Sequence, residues 1–400
     1  MMQTARTDHQ VPYMTADTPT QVSSVQVPSA VTPSASEAHV LAEVHGRVGF
    51  ITLNRGRALN ALSLDMVRSF TQTLLTWRDD PAVLAVAVRG SGKEGAFSSF
   101  CAGGDIRFFH QAALAGDPRL EDFFTEEYRL NHLIHTYPKP YIAFMDGVVM
   151  GGGMGISQGA SLRVVTQRTK MAMPETGIGL FPDVGGGFFL SRCPGRVGEW
   201  LALTGQTIGA GDAIAFGLAD GFLDSARLSV IWAEMQTTPF ESANAVEHLV
   251  SSKFAAHTPT FKSVRAQIDH YFALPSVQHI VDALAQDASA FAQDTLATLR
   301  KRSPLMLNVV LEQVRRARKM GLADDLRMER DLVRHSFHTA HLGRSGASSE
   351  TVEGIRALAI DKDNSPRWHP AKIEDVTPDM VTPFFTSPWP AASHPLATLS

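Results

Sequence analysis

The stretch MGGGMGISQGASLRVVTQRTKMAMPETGIGLFPDVGGG, Met150–Gly187, decides how the rest of the chain is read. Just before it, Tyr141–Met145 (YIAFM) reads as a strand. The run Gly151, Gly152 and Gly153 then opens a helix, and Leu162–Thr166 (LRVVT) is a strand again. Strand, glycine turn, helix and strand in that order argue for an α/β domain with crossover connections. The glycine run also leaves helix N-terminal amides uncovered, where negative charge is favoured. No Gly-Lys-Ser/Thr follows it, so it is not a phosphate-binding P-loop. Further along, Glu175 and Asp183 each follow a proline and stand in apolar, glycine-rich sequence. A carboxyl in such surroundings is partly desolvated and its pKa rises, which suits a group that must both take and give protons.

The same pattern extends in both directions. Val48–Asn54 (VGFITLN) is a strand, and Asn54–Leu62 a loop. Ser63 caps the next helix with Asp65 in its first turn, and Val67, Phe70, Leu74 and Trp77 give that helix one buried face. Leu84–Val88 (LAVAV) is an unbroken apolar run, a strand buried on both faces. Ser98–Asp105 (SSFCAGGD) reads as strand end, glycine turn and helix start. Its Ala102, Gly103, Gly104 and Asp105 make a second exposed-amide turn, and two such turns supply the convergent donors of an oxyanion hole. Asp122–Thr136 is helical in pattern, with Glu126 on a solvated face. His132 and His135 lie three apart without a third ligand, so they read as structural and no metal is expected. Phe108, Phe109, Phe188 and Phe189 read as core. This α/β core is expected over residues 37–223.

Residues 224–388 read as a mainly helical extension. Ser303 and Pro304 form a helix start, Gly321 a C-terminal stop, and a second helix runs to about Thr339. Arg315–Lys319 reads as a solvated helix face, and Arg356–Ile360 (RALAI) as the one late strand-like run. Residues 1–36 are rich in Thr, Ser, Pro, Gln and Val with a single aromatic, and read as a disordered tail. Residues 389–400 read as a loose end.

Composition narrows the function. The 400 residues carry 36 Lys plus Arg against 40 Asp plus Glu, a net charge of −4, so nothing favours nucleic acid. Two cysteines, Cys101 and Cys193, exclude a disulfide framework and point to a reducing compartment. No apolar run reaches the roughly 18 residues of a membrane span. Asp8 and Asp17, with scarce Arg, argue against a mitochondrial presequence, so the cytoplasm is expected.

These motifs identify a family. The chain resembles the crotonase (enoyl-CoA hydratase/isomerase) superfamily in FITLNRGRALNALSLDM, FCAGGDI, KPYIAFMDGVVMGGGMGIS and MAMPETGIGLFPDVGGGFFL. FFTEEYRLN, FPDVGGG, LALTG and IDKDNSPRWHPA make it similar to the 3-hydroxyisobutyryl-CoA hydrolase branch. The resemblance implies a spiral of ββα units and an acyl-CoA thioester substrate, with no cofactor beyond the CoA it carries. It implies an oxyanion hole from the amides of Ala102 and Gly152, and contacts to CoA from Arg57, Ala58, Leu59 and the turn Ala102, Gly103, Gly104 and Asp105. Glu175 would act as nucleophile or base, Asp183 would bind the substrate hydroxyl and move a proton, and Glu127 would orient the acyl end. Hydratases similar to this chain carry a catalytic Glu two residues beyond the glycine run, and here that position is Gly155. The missing carboxylate shifts the expectation from hydration to thioester hydrolysis. Two alternatives stand beside it: an enoyl-CoA hydratase or isomerase, and a non-catalytic acyl-CoA-binding module. Many members of the superfamily form trimers or pairs of trimers, which makes a homo-oligomer possible, and the extended C-terminal half could instead replace a neighbour's contacts.

Overall fold

β1 (Val40–His45) and β2 (Val48–Leu53) open the chain as an antiparallel hairpin. The computed structural model describes residues 38–92 and 95–400, and the tail expected over residues 1–36 lies outside the described residues. α1 (Leu64–Asp79) follows, with the Ser63 side chain accepting the Met66 N–H as a cap. It returns the chain to β3 (Ala85–Gly92), which pairs parallel to β2 and carries the short antiparallel β4 (Gly95–Ala96). α2 (Ile106–Ala115) and α3 (Arg119–His135) lead to β5 (Tyr141–Met145), parallel to β3. β6 (Val148–Met150) and α4 (Gly152–Gln158) complete that turn. β7 (Leu162–Val165) extends the main sheet, β8 (Lys170–Ala172) pairs with β6 in a small second sheet, and β9 (Gly221–Phe222) closes the edge. Strand, strand and helix thus recur along the chain, as expected of a crotonase-like α/β spiral of ββα units.

The strands are apolar on both sides because both faces are covered. Along β3, Val86 and Val88 join the main core while Ala85 and Ala87 face a second cluster. That second cluster is built on Phe50, Phe97, Phe144 and Trp232, with Trp232 delivered by the helix Leu228–Thr237. Cys101 and Cys193 are buried, and burial pushes both thiols up to about 12, so neither is a nucleophile.

Residues 38–400 form one unit, and among the described residues no strand follows Phe222. Four readings of the helical half are corrected. RALAI is a π-type helical turn continuing the helix Glu350–Ile355, since no strand there could pair with it. Gly321 has extended backbone (φ −72°), open to any residue, and it starts the helix Leu322–Phe337 rather than stopping the one before. In Arg315–Lys319, two arginines work as ties: Arg315 donates to the Pro275 carbonyl (2.6 Å), and Arg318 to the Ser191 carbonyl (3.0 Å) and Glu199 (2.6 Å). Residues 389–400 are not loose, because Leu396 is fully buried and two arginines hold the backbone. Arg129 binds the Pro395 carbonyl (2.7 Å) and Arg327 that of Leu399 (2.9 Å).

Candidate active site

The two glycine turns meet through backbone pairing. Cys101 donates to the Val148 carbonyl (2.9 Å) and accepts from the Met150 N–H (3.0 Å). Gly103 (φ +107°) and Gly151 (φ +47°) take conformations that a side chain would strain. A Cβ on Gly103 would come 3.4 Å from the Met150 carbonyl, an ordinary contact, so it is the backbone conformation and not the space that favours glycine there.

Which amides remain free follows from the hydrogen bonds. Leu62 donates to the Gly103 carbonyl (2.8 Å) and accepts from Asp105 (3.0 Å). The Gly104 N–H between them has no acceptor among the described residues, nor has that of Gly152 at the start of α4. Both residues line one cavity of about 360 Å³. The Ala102 N–H instead donates to the Leu59 carbonyl at 3.0 Å. The Ala102 donor expected for the oxyanion is therefore already used, whereas the amides of Gly103, Gly104 and Gly152 have no acceptor among the described residues.

The expected CoA contacts separate in the same way. Ala102, Gly103 and Gly104 line the cavity. Asp105 turns away to pair with Arg55 (2.7 Å) and to cap α2 at Phe108. Arg57, Ala58 and Leu59 lie in and just after the turn Gly56–Ala58, outside the cavity, with Arg57 and Leu59 exposed. Asn60, absent from the sequence reading, organises this corner. It is fully buried at φ +57°, and its amide donates to the carbonyls of Ser99 (2.9 Å) and Phe100 (3.1 Å) while accepting from the Arg55 N–H (2.8 Å). The signal was an asparagine in a loop, a residue that tolerates left-handed backbone and both donates and accepts.

Three carboxyl groups line the cavity: Glu127 from α3, Glu175 from the turn Glu175–Ile178, and Asp183. All three are buried. A Cβ on Gly151 would sit 2.8 Å from Glu175 Oε1, and one on Gly152 2.6 Å from Glu127 Oε1. The absence of side chains there is what lets both acids close on the amides. Glu175 Oε2 and Glu127 Oε1 are buried without partners. Asp183 Oδ2 accepts from the Tyr128 hydroxyl at 3.0 Å, a partner the sequence reading did not anticipate.

Burial is the main force on all three acids. It pushes Glu175 and Glu127 well above the usual carboxylate range, and the nearby Asp183 charge adds to both. Burial lifts Asp183 to about 7, opposed by the Tyr128 hydrogen bond. These shifts are the ones expected from the apolar flanks of Glu175 and Asp183.

At Gly155 there is no vacancy. A Cβ there would lie 2.6 Å from Val184 Cβ and 2.8 Å from Asn131 Nδ2. Arg302 also lines the cavity, spends two nitrogens on the Thr204 carbonyl, and has no carboxylate partner among the described residues. Glu126 pairs with Arg68 (2.7 Å), and His135 contacts the Asn131 carbonyl (3.1 Å), so both serve structure. No cluster of metal-ligating side chains occurs among the described residues, and no helix there is long and apolar enough to cross a membrane.

Comparison with known proteins agrees with this geometry. The enoyl-CoA hydratase/isomerase family model matches residues 48–385. A rat (Rattus norvegicus) protein named 3-hydroxyisobutyryl-CoA hydrolase, mitochondrial, is 39% identical over 88% of this chain and 89% of its own length. The human (Homo sapiens) protein of that name is 37% identical over 87% of this chain and 88% of its own. Among solved structures, a carnitinyl-CoA dehydratase from Mycobacterium thermoresistibile superposes with a TM-score of 0.80. It is 36% identical and covers 90% of this chain and 99% of that one.

Proposed function

This chain belongs to the enoyl-CoA hydratase/isomerase family, and we propose that it hydrolyses 3-hydroxyisobutyryl-CoA to 3-hydroxyisobutyrate and CoA, a step of valine breakdown. One observation carries the reading: Glu175 and Asp183 share a cavity with free glycine amides, among them those of Gly104 and Gly152, while Val184 and Asn131 fill the space at Gly155. Relatives named for this activity are 37–39% identical over most of the chain. The amides of Gly104 and Gly152 receive the thioester oxygen as it gains negative charge. Glu175 then attacks the carbonyl to form a mixed anhydride that water opens, or takes a proton from the water that attacks directly. Either route expels CoA thiolate, and Asp183, lifted to about 7, is poised to bind the 3-hydroxyl and to hand on a proton. Glu127, which burial pushes well above the usual carboxylate range, orients the acyl end.

The test is CoA release from 3-hydroxyisobutyryl-CoA, read with a thiol reagent. Glu175→Gln removes nucleophile and base together and is expected to cut kcat by about a thousandfold or more. Near-wild-type release from that variant sinks the assignment. Trapping with hydroxylamine in a single turnover distinguishes the anhydride from direct water attack. The hydratase alternative predicts no free thiol, and the binding-module alternative gives no reason to bury three acids without a cation. Homo-oligomerisation and a cytoplasmic location are part of the proposal. The first rests on family habit. The second rests on the Arg-poor residues 1–36, against the word mitochondrial in the relatives' names.

A further inference from the structure

The helical half touches the catalytic region at the turn that carries Asp183. That turn, residues 182–188, bends through Val184 (φ +59°) and Gly185 (φ +86°). A β-branched residue at positive φ is strained, and it persists only where its surroundings over-determine it. Here the surroundings are side chains 131–144 residues further along the chain. Glu329, fully buried on the helix Leu322–Phe337, accepts the Gly185 N–H through Oε2 (2.7 Å) and the Gly187 N–H through Oε1 (2.8 Å). Asp325, one turn earlier and also fully buried, accepts the Phe188 N–H (2.8 Å). Gln313, from the helix Pro304–Ala317, donates to the Pro182 carbonyl (2.6 Å) and to Glu329 Oε1 (3.2 Å). The backbone on both sides of Asp183 is therefore gripped, while its side chain is held by the Tyr128 hydroxyl and by its own backbone N–H. None of the three gripping residues lines the cavity.

Resting on the reading of Asp183 given above, we propose that Glu329, seconded by Asp325 and Gln313, is a positioning residue for the thioester reaction: it holds the strained turn so that the Asp183 carboxyl faces the substrate. The paired oxygens matter. A glutamine in its place has one acceptor, so one of the two glycine amides would face an NH2 group instead. Two buried acids side by side, neither of which lines the cavity, have no other evident use. A helical extension placed purely for stability would more simply cover the turn with apolar side chains.

The experiment is a double-mutant cycle on the full chain, combining Glu329→Gln with Asp183→Asn and measuring kcat and KM for CoA release from 3-hydroxyisobutyryl-CoA. Glu329→Gln alone is expected to lower kcat about tenfold or more with KM changed by less than about threefold. In the Asp183→Asn background the same change is expected to cost less than about twofold, because the group it positions is already gone. Losses that multiply independently, or a Glu329→Gln variant with wild-type kcat, overturn the inference. An Asp183→Asn variant with wild-type turnover overturns instead the reading of Asp183 on which it rests. If Glu329→Gln does not fold, Gln313→Leu, which cuts the Pro182 carbonyl bond, enters the same cycle with the same outcomes.

Discussion

Asp183→Asn is expected to make the protein more stable at mildly alkaline pH while impairing it as a catalyst. The argument starts from burial: the folded chain lifts this carboxyl from an ordinary 3.8 to about 7. Between those values the folded state binds more protons than the unfolded state. Stability therefore falls as pH rises through that window, and the loss is complete once pH passes the folded value. From pH 5 to pH 8 that is about two units at 1.36 kcal/mol each, about 3 kcal/mol. Glu175 and Glu127 share the same field, so relief by one substitution is expected nearer to about 2 kcal/mol. Asparagine keeps an oxygen for the Tyr128 hydroxyl and has no charge to desolvate at any pH. Urea unfolding of both proteins at pH 5 and pH 8 provides the measurement. The variant's advantage should grow by about 2–3 kcal/mol between the two conditions. A gap that stays constant with pH, or a variant that is the less stable of the two at pH 8, refutes the claim that burial governs this acid.

Three further outcomes follow from the same cavity. Tyr128→Phe removes the larger of the two hydrogen bonds that lower the Asp183 pKa, so the limb of the kcat–pH profile due to Asp183 should move up by about one unit; a profile that stays in place detaches Asp183 from turnover. Gly155→Glu should yield no hydratase. A side chain there meets Val184 Cβ at 2.6 Å and buries a further acid, so thermal unfolding should show a loss of at least about 1–3 kcal/mol. Arg302→Gln should raise KM several-fold for the CoA thioester, since a guanidinium without a carboxylate partner among the described residues lines a cavity that admits an anionic substrate. Comparing the same variant on a pantetheine thioester, which lacks the CoA phosphates, shows whether phosphate is the group it meets.

What could be read from the sequence, and what could not, divides along a physical line. Local chemistry was legible: Ser63 caps α1, the YIAFM strand precedes the glycine helix, and apolar flanks raise Glu175 and Asp183. A motif also located the glycine turn that lines the cavity, but it could not say which amide in CAGGD is free. That depends on the Leu59 carbonyl, which takes the Ala102 donor and leaves Gly104 open. RALAI was misread for a related reason, since a strand exists only through a partner and none stands beside it. The grip on the Asp183 turn lay furthest out of reach. Glu329 and Asp325 sit in LADDLRMERDLVRHSF, a segment whose charge pattern suggests a solvated helix, yet both are fully buried. Buried acids on a charged helix require donors from elsewhere, and the donors are the glycine amides of PDVGGG. Gly185 carries two demands at once: it allows the left-handed bend after Asp183 and exposes an N–H that Glu329 takes. The helical half is thereby tied to the catalytic turn by polar contacts that neither segment could satisfy alone.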